Sequence, residues 1–382
     1  MKEIETTGAL EAHLATGAGL ADVIFQDMDL TGFTEALLGR SVAGAVFLGC
    51  HLDVRLRAHA VGGGALVFPR IEGLPYEPYR GRLYAIEDLY DRFDRHRPGS
   101  YAECLDARVY AHWKATGGSA PPDIRETLAR RLHDHAMTDA LEELLHPEDA
   151  PAPNVVGIMG GHSMARTAPA YRQAVEMSRQ LSRRGFLMAS GGGPGAMEAT
   201  HVGSWLAGTD DGALDEALAI LAEAPTYRDE LWLAKAFEVR ERIPTPPEVQ
   251  AQHVGLGIPT WLYGHEPPNA FATHLAKYFA NSVREDGLLT IAKHGIIYTP
   301  GSAGTIQEIF QDACQNHYVT ADVVSPMVFF GRRFWTEEKP VYPLLEKLAE
   351  GKAYREWLTI TDDPDEAVDV IERYTKAMEQ PA

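Results

Sequence analysis

Cysteine, long apolar runs and positive charge are all scarce in this chain of 382 residues. The three cysteines, Cys50, Cys104 and Cys314, are far apart and form no CxxC pair, so neither a disulfide framework nor a zinc site is indicated. No stretch approaches the ~18 consecutive apolar residues that a membrane helix needs. The first residues also lack the basic and then apolar pattern of a secretory signal. We therefore expect a reduced, cytoplasmic setting and no membrane partner.

Acidic residues outnumber basic ones, 54 against 35, so the formal net charge is -19. This is the wrong sign for a protein that binds phosphate backbones, and we expect no nucleic-acid partner. Hydrophobic residues make up 45% of the chain, which is enough apolar surface for more than one core. At ~150 residues per domain the length predicts roughly two or three domains.

A segment rich in proline, alanine and acidic residues at 143–154 predicts a domain boundary near residue 150. Residues 1–150 are predicted to form a smaller α+β region of unknown role. Apolar residues recur at five-residue steps over 21–54, which leaves a short pentapeptide-like β coil open beside an irregular α+β cap. The pattern from Asp123 onward predicts a helix with His133 and His135 on its surface. Its apolar face would be formed by Ile124, Leu128, Leu132, Met137, Leu141 and Leu145.

Residues 151–382 alternate short apolar runs with longer amphipathic segments, and a helical insertion is predicted at about 209–247. This alternation predicts an α/β fold with a doubly wound, Rossmann-like parallel sheet and helices on both faces. The predicted strands are 155–160, 186–189, 254–258, 295–299, 326–330 and 357–361. Ligands of such sheets bind outside the carboxyl ends of the strands, so the residues that follow these runs are candidates for a site.

Three glycine-rich turns follow three of these predicted strands: GGHS at 160–163, SGGGPG at 190–195 and PGSAGT at 300–305. Glycine lets backbone N–H groups approach an anion closely, and the start of the next helix adds unpaired donors and partial positive charge. Three such turns at one edge of a sheet predict a small phosphate-bearing ligand. Tight turns between strand and helix are the alternative reason for these glycines.

The second turn also fits GxGxxA, the fingerprint of dinucleotide-binding proteins, at 191–196. That fingerprint expects a second strand that ends in an acidic residue about 20 positions on. Asp210 and Asp211 lie at that distance, but the residues before them continue a helix. We therefore expect no nicotinamide cofactor, and no sequence motif suggests another cofactor or a metal.

The third turn is followed by a carboxylate, Glu308. A helix that begins near Gly304 would place this carboxylate and the free N–H groups of the helix in one cleft. Arg284, in a predicted helix that leads to the preceding strand, would supply the counter-charge for a phosphate or for Glu308. Two simpler interpretations stay open. Glu308 could be a capping-box partner, and Arg284 could belong to a surface ion pair.

The stretches GGGPGAMEA at 191–199 and PGSAGTIQE at 300–308 resemble the paired signatures of the Lonely Guy (LOG) nucleotide-binding family, GGGxxGLMG and PGGxGTxxE. The resemblance runs from about Val155 to Ile371 and does not include residues 1–150. GGHS at 160–163 and EPPN at 266–269 look like the bacterial branch of pyrimidine/purine nucleotide 5'-monophosphate nucleosidases. Ser302 stands where the second signature has its second glycine, and Gln307 stands where many members carry another glutamate.

The resemblance implies hydrolysis of the N-glycosidic bond of nucleoside 5'-monophosphates, with Arg284 and Glu308 as the catalytic pair and no cofactor. The alternative is a non-catalytic nucleotide- or cofactor-binding protein of the same fold, a sensor or carrier. Related proteins are often labelled possible lysine decarboxylases, which would need pyridoxal phosphate, and no suitably placed lysine supports that. Related proteins are commonly dimers, so we expect a homodimer or a higher homo-oligomer. The candidate substrate- and phosphate-binding residues are Gly161, His162, Ser163, Gly192, Gly193, Gly195, Met197, Glu198, Pro300, Gly301, Ser302, Ala303, Gly304 and Thr305, with Glu266 and Asn269 as weaker candidates.

Overall fold

The computed structural model describes residues 2–320 and 323–379. Its strands are β1 (Lys2–Ile4), β2 (Val23–Gln26), β3 (Val46–Leu48), β4 (Leu66–Phe68), β5 (Val155–Met159), β6 (Leu187–Ser190), β7 (Gly255–Gly257), β8 (His274–Leu275), β9 (Ile296–Tyr298), β10 (Met327–Phe330) and β11 (Leu358–Thr361). Its α-helices are α1 (Thr7–Ala15), α2 (Thr34–Leu38), α3 (Val54–Gly62), α4 (Ile86–Leu89), α5 (Leu105–Ala115), α6 (Ile124–Leu145), α7 (Pro169–Arg183), α8 (Ala196–Trp205), α9 (Asp211–Ala222), α10 (Trp232–Arg242), α11 (Pro247–Gln250), α12 (Asn281–Ile291), α13 (Ala303–Tyr318), α14 (Tyr342–Leu348) and α15 (Pro364–Met378).

The chain forms two compact units. The first contains the described residues up to Leu83 together with His112–Leu144, and the second contains Tyr84–Ala111 and the described residues from Leu145 onward. The division therefore differs from the predicted one, because residues 84–111 group with the second unit. Tyr84 and Leu275 of β8 exchange backbone hydrogen bonds of 2.9 and 2.8 Å, which fastens this segment to the larger sheet.

The first unit is a regular coil of strands and helices. Its four strands are parallel and lie side by side in chain order. The aligned pairs Lys2–Val23, Ile24–Val46 and Val46–Leu66 show that each turn of the coil takes 20 to 22 residues. The rings of Phe25 and Phe47 stack at 4.9 Å between successive turns. Because helices join parallel strands, this unit is α/β, and the expected irregular α+β cap is wrong. The pentapeptide-like alternative predicted a coil of β-strands, but it did not predict the helices that join them.

The helix predicted from Asp123 is present as α6, but its predicted apolar face is wrong at the amino-terminal end. Ile124 is 68% exposed and Leu128 is 53% exposed. The buried positions there are Glu126 and Arg130, which form an ion pair of 2.8 Å. His133, expected on the surface, is fully buried. The prediction assumed that the buried face of the helix is apolar. At this end a buried ion pair occupies that face, so the predicted apolar residues lie on the exposed side.

The second unit confirms the predicted fold class. All six predicted strands are present in a parallel sheet of order β11-β10-β9-β5-β6-β7-β8. The added strand, β8, has only two residues, which is too short for any sequence period to reveal. The chain winds outward from β5 to β8 and then crosses back to β9, from which it winds the other way to β11. The switch point between β5 and β9 is where such sheets bind ligands.

Helices α9, α10 and α11 lie between β6 and β7, where the sequence predicted an insertion. Nearly every second or third residue of α9 and α10 is buried, including Leu214, Leu221 and Trp232, so the insertion packs into the unit rather than standing apart from it. Among the helices that the structure describes, none combines the length and the apolar character required to cross a bilayer.

Candidate functional site

A cavity of about 440 Å³ lies at the switch point, and its walls include the turns that follow β5 and β9. This volume is in the range of small-molecule sites, which run from roughly 300 to 1,000 Å³. The predicted site residues that line it are Gly161, His162, Ser163, Met197, Glu266, Arg284, Ser302, Ala303, Gly304, Thr305 and Glu308. The lining residues that were not among the predicted ones are Met159, Gly160, Gly191, Tyr263, Glu285 and Gln307.

The remaining predicted residues lie behind this lining: Gly192, Gly193, Gly195, Glu198, Asn269, Pro300 and Gly301. The glycines among them allow the turns to pack closely against one another. Gly195 has φ +70°, and a Cβ there would lie 2.3 Å from the carbonyl oxygen of Gly161. A Cβ on Gly160 would lie 2.0 Å from the hydroxyl oxygen of Thr299. Gly195 thus packs against the backbone of the first turn and Gly160 against the side chain of Thr299, so the structural reason for glycine applies to both positions.

Asn269 is fully buried and supports the second turn rather than facing the cavity. Its amide nitrogen donates to the carbonyl oxygens of Gly192 at 3.0 Å and Gly193 at 3.3 Å. Gly192 has φ +75° and donates its N–H to the hydroxyl of Ser190 at 3.1 Å. A direct contact between Asn269 and a ligand in this cavity is therefore not expected, which corrects the sequence-based assignment.

Glu198 is also a structural residue. Its side chain is fully buried, and the guanidinium of Arg166 donates to both carboxylate oxygens, at 2.8 and 2.5 Å. The hydroxyl of Tyr171 donates to the same carboxylate at 2.9 Å. With these donors around it and no place in the cavity wall, Glu198 ties α8 to the segment before α7. The predicted binding role of Glu198 is corrected accordingly.

The amino-terminal end of α13 forms one wall of the cavity. The helix begins at Ala303, and Ser302 at the cap position makes no capping hydrogen bond with its side chain. The first N–H groups of a helix have no partner within it and carry partial positive charge, so this end can receive an anion. A Cβ on Gly304 would meet no atom within 4 Å, which shows open space at this wall. Lys339 donates to the carbonyl oxygen of Gly301 at 2.7 Å and adds positive charge behind the turn.

Arg284 and Glu308 form an ion pair in the lining of the cavity, in which Nη1 donates to Oε1 at 3.3 Å. Helix α12 carries the arginine, and Nε donates to the carbonyl oxygen of Ile258 at 2.9 Å. The two side chains are only 11% and 13% exposed, so the surface-pair interpretation of Arg284 is wrong. Glu308 lies in the second turn of α13, beyond the position that a capping box uses, so that interpretation is wrong as well.

Burial raises the pKa of Glu308 above its ordinary value. The guanidinium of Arg284 opposes this rise, and the nearby carboxylate of Glu285 adds to it. One turn further along α13, burial raises the pKa of Asp312 to about 7. Asp312 accepts hydrogen bonds from Tyr298 at 2.6 Å and Asn316 at 3.1 Å and does not line the cavity. Glu308 is therefore the carboxylate of α13 that can meet a ligand.

We call four further lining side chains the rim: His162, Tyr263, Glu285 and Gln307. His162 and Tyr263 are each 45% exposed, and Nδ1 of His162 lies 3.6 Å from Oε1 of Glu266. Glu285 and Gln307 are joined by a hydrogen bond of 2.9 Å. Sequence reasoning could have found the last two, because they are the immediate neighbours of Arg284 and Glu308. Tyr263 has no such neighbour in the sequence that would have indicated a place in the site.

Among residues 2–320 and 323–379, no three histidine, cysteine, aspartate or glutamate side chains come together as a metal site would require. The polar groups that line the described cavity are backbone amides, the guanidinium of Arg284, three carboxylates, the imidazole of His162, the side-chain amide of Gln307 and the hydroxyls of Ser163, Tyr263, Ser302 and Thr305.

Comparisons with known proteins give structural likeness alone. No protein-family model matches the chain, and no curated protein matches it. The molybdenum cofactor binding protein of the phototrophic bacterium Rippkaea orientalis is 12% identical, with a TM-score of 0.38 over 59% of this chain and 99% of that one. The Moco carrier protein of Chlamydomonas is 14% identical, with a TM-score of 0.36 over 59% of this chain and 98% of that one. A protein named TM1055 is 18% identical, with a TM-score of 0.38 over 58% of this chain and 99% of that one. Likeness at these scores carries no argument about function, and the Rossmann-like fold is read from the strands of this chain.

Proposed function

We propose that the chain hydrolyses the N-glycosidic bond of nucleoside 5'-monophosphates and releases the free base and ribose 5-phosphate. One observation carries the proposal: a single cavity contains both the free amino-terminal end of α13 and the Arg284–Glu308 pair. The helix end suits a phosphate monoester. The Arg284–Glu308 pair suits a sugar carbon that becomes positively charged. The similarity of the two glycine-containing signatures to the LOG family supports the same assignment.

The phosphate would bind at the turn before α13, where the N–H groups of Ala303, Gly304 and Thr305 are the unpaired donors of the helix end. A net charge of -19 disfavours any anion at long range, so these donors and Arg284 must attract the phosphate locally. Binding energy gained at the phosphate then fixes the ribose near Glu308. Remote binding of this kind contributes to rate by orienting the reacting groups.

Glu308 is the candidate catalytic residue. As the C–N bond breaks, its electron pair leaves with the base and positive charge develops at C1', which a carboxylate stabilises. The same carboxylate can accept a proton from the water whose oxygen forms the new bond to C1', and the departing base takes up a proton in exchange, so that the products are the free base and ribose 5-phosphate. Arg284 contacts Oε1 of Glu308 and so orients the carboxylate. General-base assistance is worth roughly 10²–10⁴ in rate, and positioning must supply the remainder.

The test mixes purified protein with AMP, GMP, CMP, UMP and a cytokinin nucleotide and measures free base and ribose 5-phosphate. We expect turnover of at least one nucleotide. Tight binding of a nucleotide without turnover of any would instead support the non-catalytic binding protein.

Glu308→Gln separates binding from chemistry. We expect this variant to bind ribose 5-phosphate about as well as the wild type and to lose roughly 10²–10⁴ in turnover. Glu346→Gln, which removes an exposed carboxylate paired with Arg355, is the control and should keep the wild-type rate. A Glu308→Gln variant that retained most of its activity would remove Glu308 from the mechanism.

A further inference from the structure

Glu285 lines the same cavity, and no step of the proposed hydrolysis uses it. It follows Arg284 on α12, and two amide groups hold its carboxylate. The side-chain amide of Asn281 donates to Oε1 at 2.6 Å, and that of Gln307 donates to Oε2 at 2.9 Å. The carboxylate is therefore fixed in place before any ligand arrives.

The two amides leave accepting capacity on Glu285. Each carboxylate oxygen has two lone pairs, so each can accept one more hydrogen bond in addition to the one from its amide. A fixed pair of acceptors suits a ligand with two adjacent hydroxyl donors. The cis-hydroxyls of ribose are such a pair, and acidic residues accept hydrogen bonds from ribose hydroxyls in dinucleotide-binding folds.

The charges of the cavity favour the same arrangement. Glu308 lies near one other carboxylate, that of Glu285, and one guanidinium, that of Arg284, whereas the amino-terminal end of α13 is positive. A ligand that matches this division is anionic at one end and neutral but rich in hydroxyl donors at the other. A sugar without a donor next to Glu285 would strip water from the carboxylate without replacing its hydrogen bonds, which disfavours binding.

We propose that Glu285 accepts hydrogen bonds from the cis-hydroxyls of the ribose, so that the cavity selects ribonucleotides over 2'-deoxyribonucleotides. This inference rests on the proposed function for the identity of the sugar phosphate. It adds a residue that determines specificity, and it can be tested by binding without turnover.

The chain offers a matched control one residue away. Asp286 also accepts a hydrogen bond from a glutamine of α13, Gln311, but neither residue lines the cavity. Glu285→Gln and Asp286→Asn therefore remove the same charge from the same helix, once inside the cavity and once outside it.

The experiment measures by calorimetry the affinities for ribose 5-phosphate, 2-deoxyribose 5-phosphate and inorganic phosphate. The wild type should prefer ribose 5-phosphate over the deoxy compound by about 10-fold to 100-fold, the usual range for a hydrogen bond to a charged group. Glu285→Gln should lose most of this preference, and Asp286→Asn should keep it. Inorganic phosphate should bind all three proteins alike, because its site is at α13.

Equal binding of both sugar phosphates by the wild type would overturn the inference, and this arm needs no variant to fold. A Glu285→Gln variant that binds phosphate normally and keeps the ribose preference would overturn it too. A different outcome would overturn the proposed function. If the wild type prefers ribose 5-phosphate but hydrolyses none of the nucleotides, the role of Glu285 stands and the hydrolase assignment falls.

Discussion

Gly191 leaves the space that the guanidinium of Arg284 occupies: a Cβ on Gly191 would lie 2.2 Å from Nη2 of the arginine. This contact joins the first glycine signature to the Arg284–Glu308 pair rather than to the turn before α13. The glycine therefore makes room for the guanidinium of Arg284, since its φ is not in the left-handed region.

Gly191→Ala should push Arg284 away from Glu308 while leaving the fold intact, because the atoms that a Cβ would meet belong to the flexible side chains of Arg284 and Met197. Misplacing a catalytic group by about 1 Å can cost on the order of 10² in rate. We expect a loss of that order in kcat/KM and a nearly unchanged Tm. Gly193→Ala is the control, because a Cβ there would meet Met197 alone. Full activity of Gly191→Ala would show that the position of Arg284 is unimportant.

Gly304→Ala should separate stability from ligand binding. Its Cβ would meet no protein atom within 4 Å, and alanine is the better helix former by about 1 kcal/mol, so Tm should stay level or rise. The added methyl group would occupy the wall where the phosphate is expected, and affinity for inorganic phosphate should fall. Gly287→Ala in α12 also meets open space but does not line the cavity, so it should change stability without changing affinity. Equal phosphate affinity in both variants would show that the anion does not bind at the amino-terminal end of α13.

The pH dependence of turnover should report the ionisation of Glu308. The proposed mechanism uses its carboxylate, so activity should fall as pH decreases through the pKa of Glu308, which burial raises above 4.5. Arg284 lowers that pKa, so its removal must raise it further. In Arg284→Gln the acidic limb of the kcat/KM profile should therefore move to higher pH, in addition to a general loss of rate. A limb that moved to lower pH, or an identical shift in the surface variant Arg355→Gln, would contradict this assignment.

Asp312→Asn should alter how stability depends on pH. Burial raises the pKa of Asp312 from 3.8 to about 7, so the folded protein keeps a proton that the unfolded chain releases above about pH 4. The carboxyl therefore favours folding below that pH, and this contribution is lost as pH rises to about 7, by at most about 1.4 kcal/mol per pH unit. Urea unfolding between pH 5 and about pH 8 should show the variant gaining on the wild type up to about pH 7 and no further. A constant gap would mean that Asp312 is ionised when folded.

The sheet of the second unit could be predicted because its buried strands are short apolar runs, three of which end in glycine-rich turns. Residues 84–111 could not be assigned to it, since their attachment depends on pairing between Tyr84 and Leu275, far apart in the chain. In the first unit the five-residue steps of apolar residues concealed a longer repeat. Local periods reveal a strand or a helix, but not which distant strand it pairs with.

The candidate site also contains residues whose role the sequence could predict and residues whose role it could not. Arg284 and Glu308 could be named because the two glycine-containing signatures resemble those of a known family, and the resemblance implies this pair. Glu198 occupies an equally suggestive motif position, yet it faces inward to Arg166, which lies 32 residues earlier. A motif gives the residue and not the direction of its side chain, so inward and outward members of one signature look alike in sequence.

Two of the glycine-containing turns at this site are in direct contact, which restricts how the protein can diversify. A Cβ on Gly195 would lie 2.3 Å from the carbonyl oxygen of Gly161, so a side chain there would displace two turns together. Outer side chains such as His162 and Tyr263 can be exchanged one at a time. We therefore expect related chains with other ligands to keep these two turns and to differ at the outer side chains.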